Sequence, residues 1–277
     1  MMTKTWFITG TSSGFGKDLA IRLAQEKDTN LVATARHVEA LDYLDQYDQG
    51  QILKAELDVT KPEQIKKSVA LAMEKFGRID VLDNNAGLGY FSTFEEGTTK
   101  DIQKMFDVNV FGLINMTKEV LPIMRQQNAG VIMGLSSVLG QVGLPSLSYY
   151  AGTKFAVEGM YEALQGELAK TNIQVMLIEP SGFRTDWAGR SSNKTATQFP
   201  DVYGDVQAGI DAVGKGDEAG DPKKAAEIIV KTVNGSADLP FRLPLGQASV
   251  EGTEAKLKAD LAEIEKLHDQ AVSADFD

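Results

Sequence analysis

The chain has 277 residues, 43% of them hydrophobic, with a net charge of −11, two histidines and no cysteine. This size and apolar content suit one α/β domain with a large core, while disulfides, thiolate metal sites and a cysteine nucleophile are excluded. The acidic balance argues against nucleic-acid binding, and the wide sequence separation of His37 and His268 argues against a histidine metal cluster, so no metal site is expected.

Residues 5–9 (T-W-F-I-T) open the chain as a short, β-branched and aromatic segment, the composition of a buried strand. The N-terminus lacks a signal-peptide pattern and no segment approaches the ~18 apolar residues of a membrane span. A cytoplasmic protein without membrane attachment is therefore expected. The strand runs into G-T-S-S-G-F-G and then a helix over 17–27, where Leu19, Ala20, Leu23 and Ala24 recur at helical spacing. Strand, glycine turn and helix together aim backbone N–H groups and a positive helix end at a phosphate. The spacing fits neither the P-loop, since Gly16-Lys17 is followed by Asp18, nor G-x-G-x-x-G, since position 12 is Ser12. On spacing alone the turn is either a nucleotide cradle or a tight strand–helix connection.

Residues 30–35 form the second predicted strand, ending at Ala35-Arg36, with a short helix over 38–47. Dinucleotide folds place an acid there for the adenosine ribose; an arginine suits a 2′-phosphate instead. A third strand over 51–57 ends in Asp58-Val59-Thr60, and Pro62 opens a helix reaching Phe76. A fourth strand over 80–82 leads into D-N-N-A-G at 83–87, expected as a loop at the carboxyl edge of the sheet. Residues 98–125 read as one long helical region carrying Asn109 between Val108 and Val110. A buried amide there needs a partner, and a kink or a bound water would supply one.

The apolar run 131–135 ends at Ser136-Ser137, followed by a Gly/Pro-rich bend and a helix over 148–170. On that helix Tyr150 and Lys154 lie one turn apart on one face. A phenol titrates near ~10, and a neighbouring ammonium shielded from water can draw it towards neutrality. Tyr149 and Tyr161 leave the choice of tyrosine open on these grounds. A sixth strand over 173–178 ends in E-P-S-G. Residues 183–221 show no strong periodicity and are expected to form a lid, with Trp187, Phe199 and Tyr203 available to an apolar ligand. A helix over 222–233, an edge strand over 239–243 that tolerates Pro240, and an acidic helix over 247–272 follow. No repeat or linker divides residues 1–277, so a single α/β domain is expected. Its fold class is a doubly wound, mostly parallel seven-stranded sheet with helices on both faces.

With these motifs in place, the chain resembles the short-chain dehydrogenase/reductase family over roughly 4–241. T-G-x-x-x-G-x-G stands at 9–16, N-N-A-G at 84–87, and a serine thirteen residues before a tyrosine at Ser137 and Tyr150, with Lys154 four residues on. The resemblance singles out Tyr150 over Tyr149. It implies an NAD(P)-binding Rossmann fold with Asn109, Ser137, Tyr150 and Lys154 as the catalytic set. It implies cofactor contacts from Gly10, Thr11, Ser12, Ser13, Gly14, Phe15 and Gly16, and from Arg36, Asp58 and Val59. Further contacts are implied from Asn85, Ala86, Gly87, Tyr150, Lys154, Pro180, Gly182 and Thr185. One departure is Ser181, which separates Pro180 from Gly182 where the family usually has Pro-Gly.

The run E-P-S-G-F-R-T-D-W and the C-terminal helix are most similar to the carbonyl-reductase and 17β-hydroxysteroid-dehydrogenase-like branch. The implied reaction is hydride transfer between NADP(H), preferred over NAD(H), and a carbonyl or alcohol carbon, with Tyr150 moving the proton. Epimerase or dehydratase chemistry on the same fold, or a non-catalytic dinucleotide sensor, are the alternatives. A small-molecule carbonyl or alcohol substrate of apolar or aromatic character is expected against Ser137, Gln141, Val142, Leu144, Leu147 and Tyr150, closed by Trp187 and Phe199. Family members commonly pair through the helices equivalent to 101–126 and 148–170, but monomers occur, which leaves a homodimer, a homotetramer or a monomer open.

Overall fold

The computed structural model describes residues 3–235 and 238–276. Its strands are β1 (Lys4–Ile8), β2 (Thr29–Ala35), β3 (Ile52–Glu56), β4 (Val81–Asn84), β5 (Gly89–Phe91), β6 (Gly130–Leu135), β7 (Ile173–Pro180), β8 (Ser192–Lys194) and β9 (Arg242–Leu245). Its helices are α1 (Gly14–Ala24), α2 (Pro62–Phe76), α3 (Thr99–Phe106), α4 (Leu113–Gln127), α5 (Ser148–Leu168), α6 (Pro200–Ala212), α7 (Pro222–Gly235) and α8 (Gln247–Val272). Seven strands form one parallel sheet in the order β3-β2-β1-β4-β6-β7-β9, and β5 and β8 form a separate parallel pair. The chain thus builds outward from β1 in one direction and from β4 in the other. A crevice opens where the order reverses, beyond the carboxyl ends of the strands.

The covered sheet follows from β1. Trp6 and Ile8 enter one core, Phe7 enters the other, and all three are fully buried. The first core packs α1 and α7 through Leu19, Leu23, Ile229 and Val230. The second packs α2, α4 and α5 through Ile65, Val69, Met116, Val120 and Val157. Each such side chain contributes ~1.5–3 kcal/mol on burial, which pins strand register on both faces. Pro62 opens α2, and Gly77 at φ 70° closes it in the left-handed conformation that glycine tolerates.

Several expectations change. Residues 98–125 are not one helix: a π-helical turn over Asp107–Gly112 separates α3 from α4. The helix over Val38–Tyr47 is of the tighter 3₁₀ type. The fourth strand runs on through Asp83 and Asn84, which pair with Met133 and Gly134 of β6, so N-N-A-G starts inside the sheet. The edge strand begins at Arg242 rather than at residue 239. The lid segment 183–221 is ordered by a 3₁₀ turn at Asp186–Ala188, by β8 and by α6, which is kinked at Tyr203. A three-residue strand is too short to show alternation, and a kink breaks helical spacing, so neither carried a periodic signal. No helix among the described residues is long and apolar enough to cross a membrane.

Candidate active site

The carboxyl edge of the sheet holds a cavity of about 690 Å³. Gly10, Ser12, Ser13, Gly14 and Phe15 line it from the β1–α1 turn, Arg36 from the end of β2, and Asp58 and Val59 from the end of β3. Asn85, Ala86, Gly87, Ser137, Tyr150, Lys154, Pro180, Gly182 and Thr185 complete this wall. The elements that sequence reading placed at one edge are therefore brought together around one space.

The turn depends on missing side chains. Gly10 and Gly14 have φ of +72° and +57°, a region most residues avoid. A β-carbon at Gly10 would sit 3.0 Å from Ala86 Cα, and one at Gly16 would sit 2.6 Å from the Gly10 carbonyl oxygen. Asn85 Nδ2 donates to the Thr9 and Gly10 carbonyls at 2.8 and 3.0 Å, and Ala86 N donates to Thr9 Oγ1 at 3.0 Å. Asn84 Nδ2 donates to Thr117 Oγ1 (3.0 Å) and Tyr161 Oη (2.9 Å). N-N-A-G is thus the clamp that holds the glycine turn as well as part of the cavity wall. Two expected cofactor contacts are corrected. Thr11 is fully buried with its hydroxyl donating to Thr34 O (3.1 Å), and Gly16 is buried against Asn85; neither lines the cavity. Both support the turn from behind.

Asp58 is partly engaged locally, its Oδ1 accepting from Thr60 N (2.9 Å) and Thr60 Oγ1 (2.7 Å). Arg36 is exposed at the cavity and makes no ion pair with any described residue. The extra Ser181 is accommodated by Gly246, where a β-carbon would sit 2.4 Å from Ser181 Oγ. Gly246 has φ +87°, so the inserted serine and a glycine after β9 go together. Nothing in the sequence around Ser181 pointed to position 246.

Ser137, Tyr150 and Lys154 are all buried. Ser137 caps the short 3₁₀ turn after β6 by accepting from Leu139 N (3.1 Å), and Lys154 Nζ donates to Leu135 O (2.5 Å). The Lys154 ammonium lies 5.5 Å from the Tyr150 ring centroid. Burial pushes the Tyr150 phenol up, and a hydrogen bond with the Ser137 hydroxyl opposes it. Lys154 was expected to draw the phenol down; the structure instead keeps Tyr150 protonated through the neutral range. Burial lowers Lys154 to about 8, with the nearby Glu158 carboxylate opposing.

Asn109, in the π turn, lies behind this set and outside the cavity lining. Its Oδ1 accepts from Leu88 N (2.7 Å), and its Nδ2 donates to Leu88 O (2.9 Å) and Thr153 Oγ1 (3.1 Å). The amide finds its partners in protein, tying the end of N-N-A-G to α5.

Leu144, Leu147 and Trp187 line the apolar end of the cavity, together with Leu88, Phe91 and Leu139, which sequence reading did not assign. Trp187 packs on Tyr150 with ring centroids 4.7 Å apart and on Phe91 at 5.5 Å. Phe91 could have been suspected from its place just after N-N-A-G; the others carried only generic apolar signals. Gln141 is corrected. Its Nε2 donates to Glu158 (2.9 Å) and Glu179 (3.4 Å), not into the cavity. Phe199 is half-exposed, and neither it nor Val142 lines the cavity.

Comparison with known proteins fixes the class. The model of the short chain dehydrogenase family matches residues 4–196, and the chain belongs to that family. It is 38% identical over 257 residues to the oxidoreductase BOA17 of Botryotinia fuckeliana, covering 90% of this chain and 91% of the relative. A short-chain dehydrogenase structure from Streptomyces avermitilis superposes with a TM-score of 0.90 at 33% identity, covering 98% of this chain and all of that one. An alcohol dehydrogenase from Thermococcus sibiricus, complexed with 5-hydroxy-NADP, gives a TM-score of 0.72 at 25% identity over 87% of this chain and 95% of its own. A Burkholderia phymatum short-chain dehydrogenase/reductase in complex with NAD shares the fold at TM-score 0.79 and 24% identity, covering 95% of each chain. The protein is an oxidoreductase of this family, and two of the similar structures hold a nicotinamide dinucleotide. The crowded glycine turn, where backbone alone can approach a phosphate, fits such a group.

Proposed function

We propose that the protein interconverts an apolar carbonyl compound and its alcohol, using NADP(H), with Tyr150 as the proton donor in reduction. The observation that carries this reading is the convergence of buried Ser137, Tyr150 and Lys154 on the cavity that also holds the glycine turn. When bound, the nicotinamide supplies or accepts hydride. The chain's residues do the rest. Gly10, Ser12, Ser13 and Gly14 would hold the diphosphate, and Asn85–Gly87, Pro180 and Thr185 would hold the nicotinamide half. Arg36 would pair with a 2′-phosphate through charge-assisted hydrogen bonds.

In reduction, negative charge develops on the substrate oxygen. Ser137 Oγ would donate a hydrogen bond to that oxygen, and Tyr150 would transfer its phenolic proton to it. Burial keeps the phenol protonated ahead of that transfer. The Lys154 ammonium would stabilise the phenolate formed by that transfer. Trp187 against Tyr150 would keep water from the reacting atoms, and Leu88, Phe91, Leu144 and Leu147 favour an apolar or aromatic substrate. The test is NADPH oxidation against a panel of apolar ketones and aldehydes, with Tyr150→Phe alongside. The variant should lose about 10²–10⁴-fold in kcat and keep its NADPH Kd. Undiminished turnover would refute the assignment of Tyr150.

A further inference from the structure

α8 spans 26 residues, about 39 Å at the usual helical rise, and only its first half touches the rest of the molecule. Ser249 is buried and donates to Glu179 O (2.7 Å), and Gly252 lies against Val138. Ser249, Gly252, Thr253, Lys256 and Asp260 are the buried or half-buried positions, and they share one side of the helix. From Leu261 onward every described residue is exposed. A free-standing helix end of three turns has little stability of its own.

A second stripe runs about a third of a turn away: Val250, Glu254, Leu257, Leu261, Ile264 and His268. Its steps of four and three residues are those of a coiled-coil seam. Leu257, Leu261 and Ile264 are 58%, 57% and 65% exposed, so the stripe points away from the body and is open to a partner. The charges along it select that partner. Laid antiparallel on its own copy about a two-fold axis at Leu261, the stripe complements itself. Leu261 meets the partner's Leu261, Leu257 the partner's Ile264, and Lys258 the partner's Glu265. A parallel alignment instead sets Asp260 against the partner's Glu265. A lipid surface is disfavoured, because α8 carries six acidic residues against three lysines, the reverse of a membrane-surface helix.

We infer that α8 is a self-association helix, pairing antiparallel with α8 of a second copy across an axis at Leu261. This surface is separate from the expected pairing face over 101–126 and 148–170, where Phe111 of the π turn and Phe155 of α5 are exposed.

The chain has no cysteine, so single-cysteine variants of the full chain report the geometry directly. On oxidation, Leu261→Cys should give a disulfide-linked dimer on a non-reducing gel, while Lys266→Cys, on the far side of α8, should not. In light scattering Leu261→Glu should halve the particle mass, whether from tetramer to dimer or from dimer to monomer. Lys258→Glu should weaken association, and adding Glu265→Lys should restore it. Unchanged NADPH binding would show that the variants are folded. An unaltered mass in Leu261→Glu without a Leu261→Cys cross-link would overturn the inference, since any association would then use another face. So would a monomeric parent chain, including one that co-sediments with phosphatidylserine vesicles.

Discussion

At the residue scale, Tyr150 and Lys154 divide the titration between them. Burial raises the phenol and lowers the ammonium to about 8, so the group that changes charge first above neutrality is Lys154. In reduction, kcat/KM of the free enzyme should fall as pH rises through roughly 8, because the charge that stabilises the developing phenolate is lost. Lys154→Arg keeps its charge, so any residual activity should lack that alkaline limb; a limb unmoved in the variant would assign it to another group. Arg36→Ala should weaken NADPH about ten- to a hundredfold, the worth of a charge-assisted contact, and leave NADH nearly unchanged. Equal losses for both cofactors would remove Arg36 from the phosphate site. Tyr150, Lys154 and the glycine turn were legible because chemistry fixes their types at short spacings. Gln141 was misplaced because its partners, Glu158 and Glu179, lie 17 and 38 residues away, and sequence gives no sign of which side of a bend a glutamine takes.

At the element scale, the β5–β8 pair fastens the expected lid segment beside the site. Gly89 N donates to Ser191 O (3.0 Å) and Thr195 N donates to Phe91 O (2.9 Å), which clips the segment after N-N-A-G to the lid. A β-carbon at Gly89 would sit 2.1 Å from Ser192 Oγ and 2.6 Å from Trp187 Cζ2. Gly89→Ala should therefore push β8 and Trp187 off the site, with overpacking of about 1–3 kcal/mol. Substrate KM should rise while the NADPH Kd stays close to that of the parent; a matching loss of cofactor affinity would show that the clip supports the dinucleotide end instead. The long elements were readable because apolar periodicity repeats over several turns. The π turn at Asp107–Gly112 was not: it arises where Asn109 bonds Leu88 and Thr153, and a β-carbon at Gly112 would sit 2.6 Å from Val59 Cγ2. Those are tertiary contacts that leave helical spacing almost unchanged.

At the scale of the whole molecule, the chain buries acids that resist ionisation. Burial raises Asp83 to about 7; burial first, then the neighbouring Glu158, raise Glu179 to about 8, with Arg242 opposing. For both groups the folded state holds its proton at pH values where the unfolded chain has released it. The folded state therefore binds more protons between the ordinary carboxyl range and roughly pH 7–8, and stability must fall as pH rises across that window. The net charge of −11 acts in the same direction through self-repulsion, but salt screens that surface contribution and leaves the buried one in place. Urea unfolding at pH 5, 6, 7 and 8 in high salt should still show declining stability. Glu179→Gln keeps a neutral hydrogen-bonding group in the cluster with Gln141, Glu158 and Arg242, so it should flatten the decline and gain on the parent chiefly at pH 8. A slope identical to the parent's would mean that Glu179 is ionised in the folded protein and that the Arg242 guanidinium outweighs its burial.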